Sequence, residues 1–347
     1  MRLFDLTTLQ SYMPEPTVSG HGEGGFLGAN MIAQLTGPGS LNRTHTRWNL
    51  YGTDLGHMFL HADRTFFVFG DSYGPGKSHP RSNTMAWSND QDPSKGLHFQ
   101  GMITDRRGQA KELLRSKKLW GVETTVIPTA GISDGRRMYL HYMSVRYWGK
   151  PGRWKVGHAG LAYSDDAGEN WTKHPGARWP GDSNFAQAAF VQHGDHVYMF
   201  GIPAGRFGAV KLARVDPESL LDGNAYRYWT GGIWEPNCER DAKVLVPGPV
   251  GELSVRWNSY YGTWLMMYLN EKHSAIVLRT ADSLTGPWSE EVAVVGASTY
   301  PQLYAPYITP RWNDGPEIYF TLSLFGPYNV YLMRTTLHGR AQPWTAR

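Results

Sequence analysis

The chain has 347 residues, with 34 Lys and Arg against 30 Asp and Glu for a net charge of +4, and it holds 13% aromatic but only 18% charged residues. That balance excludes a disordered or acidic-tail protein, and a longest basic cluster of Arg115-Ser116-Lys117-Lys118 gives no footing for nucleic acid. The 40 Gly and 22 Pro lack a G-X-Y period, which excludes collagen; scattered as they are, they mark many turns between short elements and point to β structure. No apolar run approaches the roughly 18–20 residues of a membrane helix, and Met1-Arg2-Leu3-Phe4-Asp5 lacks the basic and apolar blocks of a signal peptide. The single Cys238 leaves no intramolecular disulfide and no Cys-based zinc site, and it reads as a buried spectator.

In chain order, the first strand candidate is 26–35, which has no repeat unit of its own. Alternating runs rich in Val, Tyr, Phe and Thr follow at 64–70, 137–145, 196–202, 263–270 and 317–324, and they read as five equivalent strands. Each comes after a turn signal (Asp63, Asp134-Gly135, Gly194-Asp195, Tyr261-Gly262, Asp314-Gly315) and sits between two other apolar segments. The unit is therefore an antiparallel meander. Its recurrence every 50–70 residues or so predicts an all-β, five-bladed β-propeller, one domain over 1–347 with blades starting near 52, 122, 184, 251 and 303. The last unit has only three convincing strands, so the N-terminal strand is expected to complete it, close the ring and remove an open edge.

Ser164 to Trp171 match S-x-D-x-G-x-x-W, the Asp-box turn of sialidase-like propellers, and 87–90 and 280–288 look like degraded copies. Such a turn closes a hairpin between third and fourth strands, so no chemistry is assigned to it.

The first strand of each propeller blade lines the central channel and starts at one common face. Asp54, Glu123, Gln187, Glu252 and Tyr304 are the starting positions, a ring of acidic and amide groups where apolar fill would be ordinary. The numbers of Asp54 and Asp71 have the same sum as those of His61 and Arg64, which flank the turn Ala62-Asp63. A regular hairpin therefore opposes the two aspartates directly. Like charges so placed are destabilising, and they divide into one ionised and one protonated carboxyl, the division glycoside hydrolysis needs. A shared cation or turn capping is the structural alternative. Tyr51, His57, Trp148, Arg256, Trp257, Tyr307 and Phe325 would supply rings and donors for a sugar, with Arg256 as ionic neighbour of Glu252. His57 and His61 share a strand face but lack a third ligand, so no metal and no cofactor is expected, and no serine-hydrolase or phosphate-loop motif is present.

At Gly52-Thr53-Asp54-Leu55-Gly56 with Phe69-Gly70-Asp71, at Gly251 to Asn258, and at Tyr304-Ala305-Pro306-Tyr307 with Pro310, the sequence resembles the five-bladed propeller endo-D-arabinanases, a family also described as a domain of unknown function. The resemblance covers most of the chain. It implies endo-hydrolysis of α-D-arabinofuranosyl linkages in the D-arabinan of mycobacterial arabinogalactan and lipoarabinomannan, with Asp54 and Asp71 matching the two essential aspartates. It implies a monomer in contact with an arabinan polysaccharide or oligosaccharide, placed outside the cell, in the envelope or on a virion. The rival readings are a non-catalytic carbohydrate-binding propeller and a hydrolase of L-arabinan or fructan.

Overall fold

Short turns leave consecutive apolar runs little choice of partner, and each run pairs antiparallel with the next. The computed structural model describes residues 26–337; the Met1–Asp5 leader reading and the outermost parts of the 1–347 domain lie outside them. A lone strand β1 (Asn30–Gln34) and a single-turn helix α1 (Thr44–Trp48) precede the first blade. Blade 1 is β2 (Gly52–His61), β3 (Arg64–Tyr73), β4 (Thr84–Ser88) and β5 (Gly101–Met102), and blade 2 is β6 (Thr125–Ser133), β7 (Met138–Trp148), β8 (Trp154–Ser164) and β9 (Thr172–Pro180). Blade 3 holds β10 (Gln187–His193), β11 (His196–Ile202), β12 (Gly208–Val215), β13 (Arg227–Trp229), β14 (Trp234–Pro236) and β15 (Val246–Val250). Blade 4 is β16 (Leu253–Asn258), β17 (Thr263–Asn270), β18 (Ala275–Ala281) and β19 (Val292–Gly296); blade 5 is β20 (Leu303–Ile308), β21 (Glu317–Leu324) and β22 (Asn329–Thr336).

The five sheets form a five-bladed β-propeller whose last sheet has the order β1-β22-β21-β20. The N-terminal strand thus completes blade 5, as expected. Just ahead of it, Leu27 and Gly28 donate backbone hydrogen bonds to Ala293 and Val294 on the outer strand of blade 4 (2.8 and 3.0 Å), so the same segment also covers a second edge. The second strands are buried on both faces because each blade is sandwiched between two others. Phe59, Phe66 and Val68 of blade 1 pack with Val126, Met138 and Leu140 of blade 2, and Phe200 and Leu212 of blade 3 pack with Val255 and Met266 of blade 4. Gly131 belongs to this contact, since a Cβ there would collide with the Phe59 ring.

The inner strands β2, β6, β10, β16 and β20 touch in sequence around the channel, and β20 returns to β2. Blade 3 departs from the simple meander. Its third strand β12 pairs with β15 through Gly208 and Val210 and with β13 through Ala213 and Arg214, so two short strands share the outer position. Cys238, in the loop after β14, is only part-buried and is not the core spectator expected from composition.

Candidate active site at the channel mouth

In a meander the start of the first strand, the end of the second and the loop leading to the third all reach the same face of the disc. That geometry brings Asp54 on β2, Asp71 on β3, the residue before β16 (Glu252), the start of β20 (Tyr304) and the loops after β11 and β21 to one mouth.

The β2–β3 hairpin is not regular where the aspartates sit. Pairing runs Gly52 with Tyr73, Thr53 with Ser72, Leu55 with Phe69 and His57 with Val68. Asp54 therefore faces the two-residue stretch Gly70-Asp71, and Gly56 faces nothing. The direct opposition expected from the sequence gives way to two compensating irregularities, the usual device for re-aiming a side chain. Leu55 (φ 67) and Gly56 (φ 77) both adopt left-handed backbone, and Ser323 and Thr321 of β21 donate to their carbonyls at 3.4 and 3.0 Å. Gly70 is the other requirement, because a Cβ there would strike Oδ1 of Asp54. The same motif recurs at Tyr304, which is followed by left-handed Ala305 (φ 52) and a register shift before Tyr307. A non-glycine residue in this region costs about 1–3 kcal/mol and persists only where its surroundings impose it.

Asp54 and Asp71 are both part-buried. Tyr304 donates its hydroxyl to Asp54 Oδ2 at 2.9 Å, the Tyr328 hydroxyl lies near enough to favour the ionised carboxylate, and Oδ1 has no partner. Burial, and next the charge of Asp71, push Asp54 up to about 7. Asp71 accepts from the Thr125 hydroxyl; burial raises it to about 6, with Thr125 and Lys118 pulling the other way. Between the two, the hydroxyls of Thr53 and Ser72 bond at 2.7 Å and fix the strands. Two neighbouring carboxyls with different affinities for a proton near neutrality are the outcome.

Glu252 reaches the same mouth, and its charge acts on Asp54. Its ionic partner is Arg206, not Arg256: Nε donates to both carboxylate oxygens at 3.0 and 3.1 Å and Nη2 lies 2.9 Å from Oε1. Arg206 also pairs with Glu271 at 3.2 Å and lies over the Tyr304 ring at 4.8 Å. Burial opposes its charge, but Glu252 prevails and holds its pKa above the ordinary value. Gln187 braces this arrangement by donating Nε2 to the carbonyls of Pro203 and Gly205, the loop that carries Arg206. Arg256 instead sits inside the channel, bonding carbonyls of Phe190 and Met58. His57 is buried there too, against Tyr307, with burial and then Arg256 lowering it to about 3, so it is neutral. Glu123 turns into blade 2, where Ser144 and the backbone of Lys117 bond it at 2.7 and 3.1 Å. Trp257 is at the far end of β16, against Trp264.

Arg206, Tyr328 and Thr125 are not among the residues the sequence pointed to. The signal was available for the first two: both lie in loops that follow a second strand. The ends of second strands and the loops after them also raise an aromatic rim. Trp148 packs on Trp154 (5.5 Å), which lies beneath Arg206 (5.8 Å). On the other side Phe325, 63% exposed, packs on Tyr328 (6.1 Å). Among the described residues no group of three or more His, Cys, Asp or Glu could hold a metal ion.

The family model described as "Domain of unknown function (DUF4185)" matches residues 39–334. The chain is 30% identical to "Notoamide biosynthesis cluster protein J'" of Aspergillus versicolor, covering 85% of this chain and 86% of that protein. It is 31% identical to "Notoamide biosynthesis cluster protein J" of an Aspergillus species, covering 80% of each. Among solved structures, an alpha-L-arabinofuranosidase from Clostridium thermocellum is similar with TM-score 0.53 at 12% identity, covering 81% of this chain and 88% of that one. A GH43_1 enzyme from Xanthomonas citri complexed with xylotriose is similar with TM-score 0.51 at 11% identity, covering 82% and 86%. At such identities the likeness is one of fold.

Proposed function

The chain belongs to the DUF4185 family, and from that premise we propose that it is a glycoside hydrolase cutting internal α-D-arabinofuranosyl linkages of cell-wall D-arabinan. The observation that carries the proposal is the pair of part-buried aspartates, raised to about 7 and about 6, at the mouth of a propeller channel. A protein that only held a sugar would gain nothing from ionisable carboxyls kept so close to neutrality. The architecture shared with sugar-cleaving propellers supports the reaction class, and the motifs at Asp54, Asp71, Glu252 and Tyr304 support the choice of polysaccharide.

In this reading Asp54, the more readily protonated, gives its proton to the departing glycosidic oxygen as the bond to the anomeric carbon breaks, while the Asp71 carboxylate either bonds that carbon, to be displaced by water, or takes the proton of a water that does so directly. Tyr304 holds Asp54 in place through Oδ2, and the neighbouring Tyr328 hydroxyl favours its charged form. The Arg206–Glu252 pair supplies fixed charges and donors for ring hydroxyls. Trp148 and Phe325, on opposite sides of the mouth, give a long chain flat surfaces beyond the cleaved bond, which suits internal cutting.

The test is incubation with mycobacterial arabinogalactan and chromatography of the soluble products. Release of arabino-oligosaccharides of several lengths by the wild type, absent with Asp54→Asn, is the expected result. Binding of the polymer without release would replace the enzyme with a carbohydrate-binding propeller, and release from L-arabinan alone would move the specificity.

A further inference from the structure

We propose that the closed part of the channel binds one monovalent anion of chloride size, held between Arg256 and His57. First strands from all five blades line a cavity there with room of about 20 Å³, space for one water-sized occupant. Arg256 crosses it. Nη1 donates to the Phe190 and Val255 carbonyls at 3.0 and 3.2 Å and Nη2 to the Met58 carbonyl at 3.0 Å, which ties blade 4 to blades 3 and 1. Its Nε–H has no partner. Burial alone lowers the guanidinium, to about 10, so it stays charged at neutral pH with no carboxylate compensating it.

A buried cation without counter-charge is among the costliest groups a fold can contain, and donors left unpaired add to the cost. His57 is the second observation. It is 3% exposed, neither ring nitrogen has a partner, and Arg256 is close enough to depress it. A neutral imidazole still offers one N–H. Two unpartnered donors and one unpaired positive charge around a single small void are the requirements of an anion; the guanidinium would repel a cation, and water would leave the charge uncompensated. The inference is independent of the proposed hydrolase activity, because the site lies below the mouth and uses neither aspartate.

Wild-type protein dialysed into sodium gluconate is melted against matched samples in sodium chloride and sodium bromide at constant ionic strength. The expected result is a saturable rise in Tm of about 2 °C or more with either halide. Crystals soaked in bromide should show an anomalous peak in the cavity within hydrogen-bond reach of Arg256 Nε. Arg256→Met should abolish the halide effect; if that variant does not fold, His57→Phe, which fills the cavity, serves the same purpose. Identical melting in gluconate and halide overturns the proposal, as does a halide effect with no anomalous peak in the channel.

Discussion

One oxygen of Asp54 is held by Tyr304 and the other has no partner, so the proton this carboxyl retains near neutrality is available for transfer. Asp54→Asn and Asp71→Asn are each expected to lower kcat about 10²–10⁴-fold, the range for losing an acid or a base; near wild-type turnover would remove that residue from the mechanism. The rate should need Asp54 protonated and Asp71 ionised. It should fall as pH drops through about 6 and again as pH rises through about 7, a narrow bell readable from kcat/KM across pH. Stability carries an independent sign. Both carboxyls are raised, so between their unfolded and folded pKa values the native state holds more protons than the unfolded chain, and stability declines as pH rises through that window. The Tm of Asp54→Asn relative to wild type should therefore climb from pH 4 to pH 8, and parallel melting at every pH would sink the burial argument. Glu252→Gln has a double signature. It leaves the buried Arg206 charge with Glu271 alone, which should lower Tm, and it removes a negative charge that raises Asp54, so the alkaline limb should shift to lower pH. An unmoved limb would place Glu252 outside the field of the site. Asp54 and Glu252 were legible because first-strand starts share a face, whereas Glu123 turns into blade 2; the loop after β11 could be placed at that face too, but the reach of Arg206 to Glu252 depends on the way Gln187 holds that loop by two backbone carbonyls.

At the scale of elements, the five second strands could be read from sequence because burial on both faces demands long apolar runs bounded by turns. The hairpin register could not. Gly56 and Gly70 are visible in the sequence, but the left-handed Leu55 between Asp54 and Gly56 depends on Ser323 and Thr321 from another blade. The turn between β8 and β9 was legible in full. Asp166 accepts from the Ser164 hydroxyl and from the backbone and side chain of Asn170, each at 2.8 Å, while Trp171 donates to the Gly168 carbonyl at 2.9 Å. Third-to-fourth turns lie at the face away from the mouth. Asp166→Ala should accordingly cost about 1–2 kcal/mol in denaturant melts and leave kcat/KM unchanged. Normal melting with lost turnover would relocate the chemistry to the blade periphery.

Across the whole molecule, stability rests on stacked blades and on one closure. Removing residues before Gly37 would delete β1, exposing the β22 edge and freeing the outer strand of blade 4. Such a truncation should melt lower and aggregate, measured by light scattering; a monomeric, equally stable product would show that closure is dispensable. The closure also sets a clock. β1 is made before any strand of the five blades it closes, yet its partner begins at Asn329, so at 5–20 residues per second the wait is about 15–60 s. Through that interval β1 must remain unpaired and soluble. Its five residues, mostly part-buried, are short enough to offer little template for stray pairing, and the ring closes only once β22 has been made.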